Sequence, residues 1–208
     1  MMNRGYLLLD RFDRPPVITC SHDPVILEHF AHEIAQVDSV VVTTVNARRR
    51  LRRTKDAVYL LPVKKWQFAT HLGLDTHHGG TVTFWALELA YLLGWTKTIL
   101  IGMDHNYARQ TLRQGEVQTA GHSDADHFTP NYLPKGAKFI VGDLAFSEYS
   151  FLLARAAFEA AGRDVVDCTI DGACQVFRKG DLATELEDEL PRNPPPGSGG
   201  KSAVREPE

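Results

Sequence analysis

Residues 79–103, "GGTVTFWALELAYLLGWTKTILIGM", constrain the fold more than any other stretch. From 79 to 95 the chain starts at Gly-Gly-Thr, runs through a long apolar body with few polar interruptions, and stops at Gly94. That is the pattern of a helix buried on several sides. Residues 96–103 then pass through Ile99, Leu100 and Ile101 without alternation, as expected for a strand at the centre of a parallel sheet covered on both faces.

Other segments repeat the alternation. "PPVITC" (15–20) reads as a short strand, and 23–37 as a helix with Val25, Ile26, Phe30, Ile34 and Val37 near one stripe. Asp23 is its predicted cap, with Pro24 in the favoured first turn. "SVVVTTV" (39–45) and "AVYLLPV" (57–63) read as buried strands, the second stopping at Pro62. Residues 66–78 have no clean period and carry three histidines, which suggests a loop approaching a site. Residues 143–163 form a second strong helix capped by Asp143, 164–170 a further strand, and 174–181 an edge strand or extended arm. Between them, 104–142 is long, polar and broken by glycine and proline, the mark of a functional or mobile loop. The pattern predicts an α/β sandwich with a mainly parallel sheet. Residues 1–181 form one domain, and the Pro/Gly/Ser-rich, charged stretch 182–208 is expected to be a disordered tail.

Composition narrows the setting. A hydrophobic fraction of 43% over 208 residues supports one sizeable core, and a formal net charge of −3 gives no whole-molecule attraction to nucleic acid or an anionic membrane. "ARRRLRRTK" at 47–55 is the local exception, with six Arg/Lys side chains that repel one another unless anions or carboxylates lie nearby. It reads either as a solvated face or as a contact for phosphates or a partner. Cys20, Cys168 and Cys174 are too few for a disulfide framework or a paired-thiolate zinc site, which suggests a reducing cytoplasm. Neither a signal-peptide core nor a membrane span is legible.

In open α/β sheets, ligands bind beyond the carboxyl ends of the strands. That rule gathers Ser21, His22 and Asp23; Asp104, His105, Asn106 and Tyr107; and Thr169 and Asp171 at one edge. "HHGGTV" (77–82) adds a candidate anion site, because Gly79 and Gly80 let backbone N–H groups approach a ligand at a helix N-terminus. Thr81 can add a hydroxyl and His77 or His78 a donor. The plain alternative is a turn followed by an N-cap. No Walker loop or dinucleotide fingerprint is present. Asp104, His105, His122, Asp124, Asp126 and His127 could be read as a metal site, but they lack cage-like spacing, so Mg²⁺ held by Asp104 and nucleotide phosphates is the more plausible metal. His105 or His127 could act as a general base, or each could be structural.

"HHGGTVTFWALELAYLLGWTKTILIGMDHNY", "DHFTPNYL", "AFSEYSFLLARAAFEAAGR" and "DCTIDGACQVF" together resemble the 6-hydroxymethylpterin diphosphokinase MptE-like family, itself similar in fold to bacterial CMP-sialic-acid sialyltransferases. The resemblance spans about residues 3–181 and implies a Rossmann-like three-layer sandwich. It also implies a nucleotide-dependent transferase, moving either diphosphate from ATP to a hydroxyl acceptor with Mg²⁺ or a sugar from a nucleotide donor to a small-molecule or glycan acceptor. The implied site is Gly79, Gly80 and Thr81 at the phosphate turn and Asp104, Asn106 and Tyr107 at the strand end, with His127 and Tyr132 as further additions. "NRGYLLLDRF" at 3–12 resembles the segment that in this family follows a first strand and a Gly-Asn-Gly-Pro-Ser-Leu type loop, so the expectation is an N-terminally shortened domain. A non-catalytic nucleotide- or sugar-phosphate-binding protein is the alternative from a different class.

Overall fold

The computed structural model describes residues 1–52, 54–63, 65–72, 76–106, 114–121 and 127–187. A 3₁₀ helix over Asn3–Arg11 precedes strand β1 (Ile18–Cys20), helix α1 (Pro24–Ile34), β2 (Val40–Thr44), a 3₁₀ turn (Val45–Ala47) and β3 (Ala57–Leu60). Then come α2 (Val82–Leu92), β4 (Lys97–Leu100), β5 (Val117–Thr119) and β6 (Lys138–Ile140). The order finishes with α3 (Leu144–Ala160), β7 (Asp164–Asp167), β8 (Arg178–Lys179) and α4 (Leu182–Glu187).

The architecture is mixed α/β. One parallel sheet has the order β1-β2-β3, with Thr19 opposite Val41 and Val42 opposite Val58. The second has the order β4-β7-β8 and is also parallel, with Ile99 opposite Val166. β5 and β6 pair antiparallel inside the stretch expected to be one long loop. β4 departs from its sequence reading, since among the described residues it pairs with β7 alone and lies at an edge of its sheet. Its apolar run is explained by packing: Leu100 is buried with Phe84, Phe151 and Val165 in a core that α2 and α3 complete. Residues 182–187, read as the start of a tail, instead form α4, whose Glu185 pairs with Lys97 at 2.8 Å and Arg178 at 2.5 Å. Residues 188–208 lie outside the described residues.

Helix ends follow the sequence closely. Asp23 accepts hydrogen bonds from the Val25 and Ile26 amides at 2.7 and 3.1 Å, and Asp143 accepts from Phe146 at 2.9 Å. α1 buries Ile26, Leu27, Phe30 and Ile34 in a second apolar cluster, together with Val41, Leu51 and Tyr132. A buried cation stitches that cluster. The Arg4 guanidinium sits 3.7 Å above the Phe30 ring and donates to the carbonyls of Asn131 and Tyr132 and to the Tyr6 hydroxyl. Aromatic faces and carbonyl dipoles thus replace the carboxylate that a buried arginine ordinarily needs. The first two residues run beside β1: the Met1 amino group donates to the Ile18 carbonyl, and the Cys20 amide donates back to Met1.

α2 is apolar almost all round, and two of its polar-tipped side chains, Trp85 and Glu88, face inward. Trp85 donates its indole N–H to the His77 carbonyl at 2.8 Å. Glu88, 2 % exposed, accepts the Ala69 amide at 2.8 Å. One helical turn therefore grips both ends of the irregular segment that leads into α2. Burial pushes the Glu88 carboxyl up to about 8, against the opposing pull of the Ala69 and His77 amides. An unfolded glutamate ionises near 4.5, so the unfolded chain releases this proton first and stability falls as pH rises between the two values. Urea unfolding from pH 5 to 8.5 is expected to show Glu88→Gln gaining on the natural chain by on the order of 3 kcal/mol across that window. A difference that does not change with pH contradicts a buried neutral acid.

Candidate functional site

α1 is the crossover between the parallel strands β1 and β2, so its N-terminus lies at their carboxyl edge. α2 joins β3 of one sheet to β4 of the other, and its first turn reaches the same corner through Trp85. His22, directly after β1, meets the approach to α2 there. Its ring centroid lies 4.8 Å from Trp85 and 6.3 Å from His78. His77 and His78 stack at 4.7 Å with an interplanar angle of 21°. Trp66 lies 5.9 Å from His77, 4.7 Å from Phe146 and 5.3 Å from Tyr149, yet is 61 % exposed. These rings make a wall of imidazoles and indoles with one open aromatic face.

The glycine turn beside it is built for packing. Gly79 and Gly80 have φ of +59° and +71°, a region side chains disfavour. A Cβ at Gly79 would fall 2.4 Å from the Phe84 ring, and one at Gly80 2.5 Å from Phe146. The amide donors that the sequence offered to a phosphate are already engaged: Gly79 donates to His77 Nδ1 at 3.0 Å and Gly80 to His78 Nδ1 at 3.2 Å. Thr81 is the N-cap, its hydroxyl accepting from the Thr83 amide at 3.3 Å. The Asp23 carboxylate is likewise spent on capping α1. The turn-and-cap alternative therefore describes these four residues.

Those hydrogen bonds set the chemistry of the histidines. An imidazole that accepts through Nδ1 carries its proton on Nε2, so His77 and His78 are Nε2–H donors. Desolvation lowers the pKa of both, and for His77 the neighbouring His78 lowers it further. Burial also lowers His22, with Thr81's backbone and Asp23 acting in the opposite direction. His22 Nε2 is itself buried and makes no hydrogen bond of full geometry among the described residues, although the Thr81 backbone is close enough to favour the protonated ring. A buried polar atom without a full hydrogen bond beside the start of a helix gains from a ligand atom that reaches it.

The end of β4 packs against the first turns of α3 as well, at Glu148 and Phe151. Asp104 is exposed; its carbonyl accepts the Ala173 amide at 2.8 Å, while its carboxylate makes no hydrogen bond or ion pair among the described residues. His105, at φ +52°, turns its ring onto Phe151 at 5.8 Å and its Nε2 to Glu148 at 3.2 Å. Asn106 is exposed, and Tyr107 lies outside the described residues, as do His122, Asp124 and Asp126. His127 stacks on Tyr132 at 3.9 Å, and Tyr132 is buried with α1 and Arg4. The structure thus assembles His22, His77, His78, Gly79, Gly80 and Thr81, flanks them through α3 with Asp104 and His105, and places Tyr132 in a different cluster. Among the described residues no group of three or more His, Cys, Asp or Glu side chains could hold a metal ion.

Sequence reasoning missed Trp66, Trp85, Phe146 and Glu88. Trp85 and Glu88 carried a signal, as polar-tipped residues inside an otherwise apolar helix. Trp66 and Phe146 carried none, being far apart in the chain and joined only by tertiary packing. Nitrogen NMR of the imidazoles at pH 7 is expected to show His77 and His78 neutral with the proton on Nε2, each titrating below 6.5. A proton on Nδ1 contradicts the turn geometry. Compared with known proteins, the chain matches no family model, no curated protein and no solved structure.

Proposed function

We propose that the chain is a nucleotide-dependent transferase of Rossmann-like three-layer build, transferring diphosphate from ATP to a hydroxyl acceptor, with the donor held where β1 ends and α2 begins. The observation that carries this reading is the buried Nε2 of His22, without a full hydrogen bond among the described residues, beside the start of α2. Val82 opens α2, so its amide has no intrahelical acceptor, and the helix end favours negative charge. His78 is exposed and offers its Nε2–H beside it. The open face of Trp66 supplies a surface on which a base can stack. Phosphate binding in this reading uses imidazole N–H groups and the helix end in place of the glycine amides.

Asp104, an uncommitted carboxylate at the end of β4, suits a hard cation that takes its remaining oxygens from phosphates and water. Mg²⁺ there would neutralise phosphate charge during transfer. His105 is oriented by Glu148 at 3.2 Å and is the group assigned to take the acceptor's proton. In the step, the acceptor oxygen forms a bond to the β-phosphorus, the bond from that phosphorus to the α–β bridging oxygen breaks, and AMP leaves. His127 and Tyr132, packed with α1, enter no step.

Calorimetric titration with ATP, CMP and a CMP-sugar, with and without Mg²⁺, tests this reading. ATP with Mg²⁺ is expected to bind most tightly, Trp66→Ala to weaken it about tenfold, and Asp104→Ala to remove the Mg²⁺ dependence. Saturation at one hundred times the dissociation constant adds about 2.7 kcal/mol of stability. Preferential binding of the CMP-sugar moves the reading to glycosyl transfer. Absence of binding by every nucleotide rejects both.

A further inference from the structure

The arginine run plays no part in that site, and its setting is distinctive. β2 and β3 are parallel neighbours, so the connection between them must cross one face of their sheet, and its described residues do so as a series of tight turns alongside α1. The Arg48 amide donates to Val45, Arg50 and Leu51 to Ala47, and Thr54 to Leu51, at 2.9 to 3.2 Å. Ala47 and Leu51, 3 % and 0 % exposed, plug the segment into the α1 cluster. The backbone is therefore fixed, and the arginines point outward from an anchored frame.

Arg48, Arg49, Arg50 and Arg52 are all exposed, and among the described residues none of their guanidinium groups has a hydrogen bond or ion pair. Several guanidinium groups elsewhere are committed. Arg178 bonds Asp164 and Glu185, Arg155 bonds Glu159, and Arg163 bonds the Tyr91 carbonyl. Arg49, Arg50 and Arg52 instead line a groove of about 390 Å³ with His32, Ala35 and Gln36 of the α1 C-terminal region. Among the described residues no carboxylate lines it. Three guanidiniums in one groove repel each other, and anions bound between them relieve that repulsion. Each is a planar fork that matches two phosphate oxygens, which a lysine ammonium does not.

We propose that this groove is a second binding site, for a soluble ligand carrying clustered phosphate groups. It is separate from the His22 site: His32 lies nine residues beyond Asp23, roughly 14 Å along α1. Its concave shape and the absence of large apolar side chains in its lining favour a soluble oligophosphate over a lipid surface.

Inorganic tripolyphosphate is the probe, measured by calorimetry on the full chain at low salt, with Arg49→Gln/Arg50→Gln/Arg52→Gln and Trp66→Ala as the compared variants. The triple glutamine variant is expected to bind at least about tenfold more weakly while keeping its thermal midpoint, and Trp66→Ala to bind as the natural chain does. The corresponding triple lysine variant is expected to fall between, because charge remains and the fork is lost. Equal binding by the glutamine variant overturns the proposal, as does lack of binding by the natural chain at millimolar probe. Co-sedimentation with vesicles containing 20 % phosphatidylserine supports the proposal if tripolyphosphate displaces the protein, and overturns it if binding persists unchanged. Weakened ATP binding in Trp66→Ala with tripolyphosphate binding intact separates the two sites.

Discussion

The grip of α2 on the segment that leads into it is the constraint on which the candidate site depends. Trp85 and Glu88 lie on one helical turn and reach the backbone at His77 and Ala69. Apart from these bonds, the described part of this aperiodic approach has only a single β-bridge, Thr76 with Pro62, to hold its backbone. With them, His77 is fixed, its Nδ1 receives the Gly79 amide, and the left-handed glycine pair can close onto Phe84 and Phe146. Burying a carboxyl group for this purpose costs stability unless it stays protonated, which is the state its surroundings favour at neutral pH.

Local signals in the sequence translated into structure reliably. Asp23 and Asp143 cap the helices they were expected to cap, because an N-cap depends on a few neighbouring amides and nothing distant. The β-branched runs at 40–44 and 164–167 became parallel strands. What could not be read was relational. The apolar run of β4 says that the strand is covered, not how many strands flank it, and a sheet edge buried by helices reads the same as a centre. The β5–β6 hairpin hides in a polar stretch because its strands are three residues each, too short for alternation to register. α4 follows from Glu185 meeting Lys97 and Arg178, partners that composition does not reveal.

The site shows the same division. Gly79 and Gly80 were legible as a special turn, but not that His77 and His78 would accept their amides. His105 was legible as a residue at a strand end, but not its partnership with Glu148. Tyr132 and His127 stack as a pair that belongs to the Arg4 and Phe30 cluster, a packing fixed by the N-terminal segment more than a hundred residues earlier. Two polar regions result, one at each end of α1. The first is neutral and aromatic, around His22. The second is strongly cationic, around Arg49, Arg50 and Arg52. Their different chemistry suits different ligands, a nucleotide at one and an uncapped phosphate cluster at the other.

The central claim is that the His22 and α2 corner receives a nucleotide, and amide and indole chemical-shift mapping with ATP and Mg²⁺ tests it most directly. The account predicts that the largest shifts fall on the Thr81 and Val82 amides, the Trp66 indole and the His22 and His78 rings. Shifts confined to other parts of the chain, with that corner unmoved at saturation, would contradict it.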